Sequence, residues 1–180
     1  MITYQLTSTN KELTGIIALQ HKNLPLHISK NEKDEQGFVT IQHTLELLTK
    51  MHETHPHVIA KHNDNVVGYA LCMLPEFRNE IPLLTPMFDL TDKAIGALNE
   101  NLNYMVMGQV CIDKDYRKKG IFRALYKYMQ ENISKEYNAI ITEVDVKNVR
   151  SINAHKAVGF ETLKEYQSNN QNWELIMLRT

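Results

Sequence analysis

Residues 110–125 carry the densest run of chemistry in the chain: Val110-Cys-Ile-Asp-Lys-Asp-Tyr-Arg-Lys-Lys-Gly120, then Ile-Phe-Arg-Ala-Leu125. That order sets a buried strand, a basic turn and a helix start in succession. The first N–H groups of a helix have no intrahelical acceptor and point outward, and the helix dipole adds partial positive charge there. Gly120 lets a ligand come close to the backbone, and Arg117, Lys118, Lys119 and Arg123 surround the spot with charge. The turn therefore suits an anion, and a pyrophosphate fits it in charge and size. Each dipole-level contact contributes about 0.3–1 kcal/mol, so several must act together. The plain alternative is a solvated basic turn ahead of an amphipathic helix. A P-loop is excluded because no Gly-Lys-Ser/Thr closes the turn, and a dinucleotide fingerprint because there is one glycine instead of three.

Other candidate groups are weaker. His52, His55 and His57 form His-x-x-His-x-His, but a helix end and Pro56 separate them and no cysteine or carboxylate cluster supports them, so they read as a surface histidine run and not as a metal site. Cys72 and Cys111 sit in apolar strand-like runs and read as reduced core thiols. The chain has 180 residues, 43% hydrophobic and 23% charged, which suits one soluble domain spanning 1–180. A formal net charge of −1 gives no global basic field, so no nucleic-acid partner is expected. The segment Met1–Thr9 is too short and polar for a signal peptide. No apolar run approaches the ~20 residues a bilayer requires. The expected setting is cytoplasmic, with no membrane partner.

The elements that must position the basic turn follow from periodicity. Ile2–Ser8 alternates as a strand, and Thr9 with Glu12 has capping-box spacing ahead of a helix carrying Leu13, Ile16, Ile17 and Leu24, ended by Pro25. Ser29–Gly37 reads as an exposed loop. A second helix is expected to carry Ile41, Leu45, Leu48 and His52. His57–Lys61 and Val66–Leu74 form a hairpin around the turn His62–Asn65. Pro75–Asn103 is long for a connection, with a short helix near Thr91–Leu102, and is a candidate lid. Tyr104–Ile112 is a strand, Gly120–Ser134 a helix, Ala139–Val146 a strand, Asn148–Val158 a short helix stopped by Gly159, and Phe160–Tyr166 and Trp173–Leu178 two closing strands. This order predicts an α/β sheet with helices on both faces.

Arg117-Lys-Lys-Gly-Ile-Phe122 resembles the Gln/Arg-x-x-Gly-x-Gly/Ala turn of the GCN5-related N-acetyltransferase (GNAT) family, with Phe122 where that family has Gly or Ala. Asn148-Val-Arg-Ser-Ile-Asn-Ala-His-Lys-Ala-Val-Gly-Phe160 is similar to the family's Asn-x-x-Ser/Ala…Tyr/His…Gly-Phe segment. The resemblance covers about Tyr104–Tyr166, and earlier residues match in element order alone. It implies a mixed, mostly antiparallel central sheet of about seven strands, with two parallel central strands splayed apart around acetyl-CoA. Val110, Cys111 and Ile112 would pair with the pantetheine arm. Arg117, Lys118, Lys119, Gly120, Ile121, Phe122 and Arg123 would hold the pyrophosphate, and Asn148, Ser151 and His155 would contact the cofactor. It also implies Glu143 as the general base and His155 as the acid to the sulfur, with no metal. The function implied is acetyl transfer from acetyl-CoA to a primary amine, on a small molecule or a protein, in a chain that could form a homodimer. A non-catalytic acyl-CoA-binding module is the alternative.

Overall fold

The computed structural model describes residues 1–24, 26, 39, 41–98 and 100–180. In chain order the elements are β1 (Ile2–Leu6), α1 (Asn10–Lys22), α2 (Leu45–Thr54), β2 (Val58–His62), β3 (Asn65–Met73), α3 (Thr85–Ala97), β4 (Tyr104–Ile112), α4 (Ile121–Ile133), β5 (Ala139–Asp145), α5 (Val149–Val158), β6 (Glu161–Ser168) and β7 (Gln171–Arg179). The strands form one seven-stranded sheet in the order β1-β2-β3-β4-β5-β7-β6. Neighbours pair antiparallel except β4 and β5, which run parallel.

Strand alternation divides the core between the two faces. On one face Leu13 and Ile16 of α1, Leu48 and Met51 of α2 and Phe88 of α3 pack with Tyr69, Val106 and Ile141 of the sheet. On the other, Leu125 and Met129 of α4 pack with Val58, Met105, Ile140 and Val144. The capping box at α1 is present as its spacing predicts: the Thr9 side chain accepts from Glu12 N–H, and the Glu12 carboxylate accepts from Thr9 N–H. The expected helices on both faces are therefore found, around a mixed and mostly antiparallel sheet.

Two local features open the centre of the sheet. β4 and β5 pair only from Tyr104–Val106 to Ala139–Ile141, so the rest of each strand diverges. Between Ala70 and Cys72 of β3 the register slips: Ala70 stands opposite Val110 and Cys72 opposite Met107, which leaves Gly108 and Gln109 as a bulge in β4. A bulge bends its strand and sharpens the twist. Gln109 fastens this one in place. Its Oε1 accepts from Gln20 Nε2 at 2.7 Å and from the Tyr69 hydroxyl at 2.5 Å, and its Nε2 donates to Ile41 O at 2.8 Å.

Three expectations change. α2 begins at Leu45, because Thr44 caps it by accepting from Leu47 N–H, and Ile41 lies outside the helix. The helix expected near Thr91–Leu102 is α3 at Thr85–Ala97, where Pro86 sits in the first turn and so does not break it. His57 is not on the surface. It is fully buried, while His52 Nδ1 meets the Thr7 hydroxyl at 2.8 Å. The helix end expected at Pro25 and the loop expected at Ser29–Gly37 lie outside the described residues.

Candidate functional site

The diverging halves of β4 and β5 leave a cleft of about 720 Å³. Its lining includes Val110, Cys111 and Ile112 from β4, Arg117, Lys118, Gly120, Ile121 and Phe122 from the turn and α4, and Asn148 and Ser151 from the start of α5. Residues 107–112 have no pairing to β5, so the edge of β4 that borders the cleft offers its backbone to an extended ligand.

The turn has the geometry its sequence suggested. Lys118 and Gly120 both take left-handed backbone, at φ 60° and 78°. That conformation costs an ordinary residue roughly 1–2 kcal/mol and glycine nothing. A Cβ at Gly120 would meet no heavy atom within 4 Å, so the backbone lies open there. Gly120 is the N-cap of α4 and gives no side-chain cap, and the first helical bond runs from Ala124 N–H to Gly120 O. The opening N–H groups of α4 thus have no intrahelical acceptor. These features fit a pyrophosphate.

The basic side chains divide into two groups. Arg117 ties the turn to the end of α1, with Nη2 donating to Asn23 Oδ1 at 2.6 Å and Nε to Ile112 O at 3.2 Å. Lys118 lines the cleft and is exposed. Lys119 and Arg123 are not among the lining residues. Lys119 Nζ folds back to Asp115 O at 2.8 Å over the Tyr116 ring, and Arg123 Nη2 joins α4 to α5 through Ala157 O at 3.0 Å. Asn148 caps α5, its Oδ1 accepting from Ser151 N–H.

His155, like Glu143, stands outside the cleft lining. It is 1% exposed, packed edge-on against Phe122 and Phe160. Nδ1 faces Ser151 O at 2.8 Å and so carries the proton, and Nε2 accepts from the Tyr126 hydroxyl at 2.7 Å. Burial holds its pKa down at about 4, so the ring is neutral near pH 7 and has no spare proton to give. Phe122 in place of Gly or Ala is accommodated by turning its ring onto Tyr126 and His155, at 5.1 and 5.0 Å between centroids.

Glu143 lies just beyond the last β4–β5 pair, on the β5 face shared with Ile141. Its Oε2 accepts a hydrogen bond from the Tyr166 hydroxyl. Burial raises the carboxyl pKa to about 7, against the opposing effect of that hydrogen bond. Cys111 lines the cleft, but burial pushes its thiol up to about 12, which removes it as a nucleophile at neutral pH.

Sequence reasoning missed Asn23, Arg150 and Asn153, which also line the cleft. Asn23 arrives by folding, 94 positions from its partner Arg117, with no local signal. Arg150 and Asn153 did carry one: they are three apart on α5 and share its face. Among the described residues no group of His, Cys, Asp and Glu could hold a metal ion.

Comparison with solved structures matches this architecture. The ribosomal-protein-S18-alanine N-acetyltransferase from Escherichia coli superposes with TM-score 0.65 at 12% identity, over 99% of this chain and 94% of that one. A chain of the NatC complex bound to Gag peptide and CoA gives TM-score 0.68 at 16% identity, over 99% and 98%. The protein yncA from Salmonella typhimurium, solved with its cofactor acetyl-CoA, gives 0.63 at 13%, over 99% and 93%. At such identities the likeness carries the fold. No curated protein sequence matches the chain significantly. The sequence profile of the acetyltransferase (GNAT) family matches residues 25–160, three quarters of the chain, and it includes both the basic turn and the α5 segment. The chain belongs to the acetyltransferase (GNAT) family.

Proposed function

We propose that this acetyltransferase moves the acetyl group of acetyl-CoA to a primary amine by direct attack, with residues 1–180 acting as a single domain. One juxtaposition carries the reading. β4 and β5 part just short of Glu143, whose carboxyl pKa lies near neutrality, and the anion-ready cleft is lined from β4, the basic turn and α5, with Glu143 itself outside that lining. The single domain is supported by the sheet, since β6 and β7 lie beyond the matched region yet complete it beside β5.

The open edge of β4 at Val110, Cys111 and Ile112 receives the pantetheine arm as an added strand. Lys118, Gly120, Ile121 and Phe122 bind the pyrophosphate through backbone N–H groups, with Arg117 and Arg150 supplying charge. Asn148 and Ser151 hold the opposite wall. Lys119 and Arg123 contribute positive field and brace the turn, and His155 braces the wall from behind.

Acetyl-CoA supplies the activated acyl carbon. The acceptor must supply a neutral amine, yet a lysine-like amine has pKa ~10.4 and is mostly protonated at pH 7. Glu143 takes that proton, directly or through water. The N–C bond forms as the C–S bond breaks, the nitrogen gives its second proton to solvent as it becomes the amide, and the thiolate leaves. With a thiol pKa of about 8.5, solvent reprotonates it at neutral pH, so no side-chain acid is needed. The acceptor is a small molecule or a protein amine. We place the enzyme in the cytoplasm, alone or as a homodimer, and a net charge of −1 gives it no global basic field for nucleic acid.

Calorimetry with acetyl-CoA tests the cofactor half of this reading. Gly120→Glu adds a side chain at a left-handed position and a negative charge at the pyrophosphate, and should weaken binding by about 100-fold or more while the melting temperature falls by only about 2–8 °C. Wild-type protein that does not bind acetyl-CoA would overturn the reading. A panel of N-terminal peptides, lysine peptides, spermidine, amino acids and aminoglycosides then finds the acceptor. Binding without release of CoA above background on every amine would point to the non-catalytic module.

A further inference from the structure

Glu143 is not held by its own strand or by the strand beside it. Sheet order places β7 between β5 and β6, and Leu175 of β7 is the residue opposite Glu143. The hydrogen bond to Glu143 comes from Tyr166, one strand further away on β6. The tyrosine is long enough to reach over β7, and its ring stands opposite Trp173, which fixes its approach. We propose that Tyr166 is the positioning residue of the base: its phenol spans β7, commits Oε2 of Glu143 and leaves Oε1 to take the proton of the incoming amine. This rests on the reading of Glu143 as base.

The geometry makes the two strands one unit. β6 and β7 are joined by the short turn Asn169–Asn170, and both of its residues adopt left-handed backbone. Tyr166 and Glu143 therefore hold a fixed relation as long as the β5–β7–β6 ladder is intact. The hydrogen bond has an electrostatic consequence as well. A phenol O–H donated to a carboxylate favours the charged form, which works against burial. Tyr166 is itself held protonated, because burial and then the Glu143 charge raise its pKa, so it remains a donor wherever the enzyme works.

Other charged groups near this face are engaged elsewhere or more distant. Asp145, two residues along β5, accepts from Lys147 N–H and Gln171 Nε2. Asp92 of α3 is taken by Arg78 and by the Tyr104 hydroxyl. Asp89 and Lys93 of α3, and Lys164 of β6, are exposed. On the β4 side stand the Cys111 thiol and His43, whose Nδ1 meets Gln20.

The test is a carboxyl-carbon NMR titration of protein labelled with 13C-glutamate, in which Glu143→Gln identifies the Glu143 resonance. No acceptor amine is required. Tyr166→Phe keeps the ring and its packing and removes only the hydroxyl. In the wild type the Glu143 resonance should titrate near pH 7, and in Tyr166→Phe about one unit higher. The acid limb of acetyl transfer to the panel amine with the highest turnover should move upward with it, giving about tenfold less activity at pH 6 and little change at pH 9. Glu143 titrating at the same pH in both proteins overturns the proposal and leaves the base reading standing. If Glu143→Gln retains wild-type turnover and its acid limb, the base reading fails and takes this proposal with it. A melting temperature for Tyr166→Phe within a few degrees of wild type assigns the shift to the lost hydrogen bond.

Discussion

Glu143→Gln is expected to lower kcat by about 10²–10⁴-fold and to leave acetyl-CoA affinity unchanged. Glutamine keeps the size of the side chain and can still accept from Tyr166, so what is lost is the ability to take a proton. In wild type the rate should rise with pH through about 7, where Glu143 ionises, and then level off, and the variant should lose that limb. His155→Phe is the matched control. The ring of His155 is buried, neutral and closed off by Tyr126 and Ser151, so replacing it should leave the limb in place and perturb mainly acetyl-CoA binding through α5. A stability readout checks the same group independently. A carboxyl whose folded pKa is raised from 4.5 to about 7 contributes stability that is fully present below the unfolded value and is lost as pH rises through about 7. Wild type therefore carries a buried charge at pH 8 at a cost of up to about 3 kcal/mol. Glu143→Gln should melt higher than wild type at pH 8 and close to it at pH 5. Wild-type kcat in Glu143→Gln, with its acid limb intact, would remove Glu143 from the mechanism.

The parts of this site that local sequence dictates were legible, and the parts made by folding were not. β4 is found at the bounds its apolar run predicts, and α4 and β5 lie within a residue of theirs, because buried strands and amphipathic helices write their period into the chain. The turn at Gly120 was legible for the same reason: strand end, basic residues and glycine are contiguous, and contiguity is enough to build it. Helix bounds failed where a cap or a proline outweighed periodicity, as at Thr44 and Pro86. Side-chain direction at His155 is not written in the local sequence. Its position on α5 is legible, but whether the ring faces the cleft or the core is settled by Tyr126, 29 residues away on another helix. Tyr166 left no signal at all, since its relation to Glu143 depends on β7 entering the sheet between β5 and β6. The histidine run at 52–57 was read as a surface run because a helix end and Pro56 separate its members and no cysteine or carboxylate cluster supports them. Pro56 instead turns the chain so that His57 enters the core just ahead of β2.

That buried histidine is one of three that make the fold acid-sensitive, and unfolding stability should fall steeply between pH 7 and pH 5. Burial lowers the pKa of His43 and His155 to about 4 and of His57 to about 3, from an ordinary 6.5. A base whose folded pKa is depressed contributes stability that is present above the unfolded value and is lost as pH falls toward the folded value. The surroundings explain why the second proton is refused. Protonation would turn both ring nitrogens into donors. His43 Nδ1 already accepts from the Gln20 amide at 2.9 Å, and His57 Nδ1 is buried with no hydrogen-bond partner among the described residues, its Nε2 donating to Leu48 O. At pH 5, about 1.5 units below the unfolded value, each histidine withdraws about 2 kcal/mol, and the three together about 6. Glu143 works in the opposite direction over the same range and returns about 2 kcal/mol as it protonates, so the net loss is about 3–4 kcal/mol. That is a large share of the 5–15 kcal/mol typical of a folded chain. Carboxylates stabilised by pairing, such as Glu12 and Glu174, have pKa values below 4.5 and respond only at lower pH, so the histidine window is separate. Urea unfolding at pH 8, 7, 6 and 5 should show the midpoint dropping mainly over the last two steps. Glu143→Gln, which loses the compensating carboxyl, should drop further than wild type over the same interval. A midpoint that stays level from pH 7 to pH 5 would mean that these histidines accept protons in the folded state, and the buried, neutral rings described at 43, 57 and 155 would be wrong.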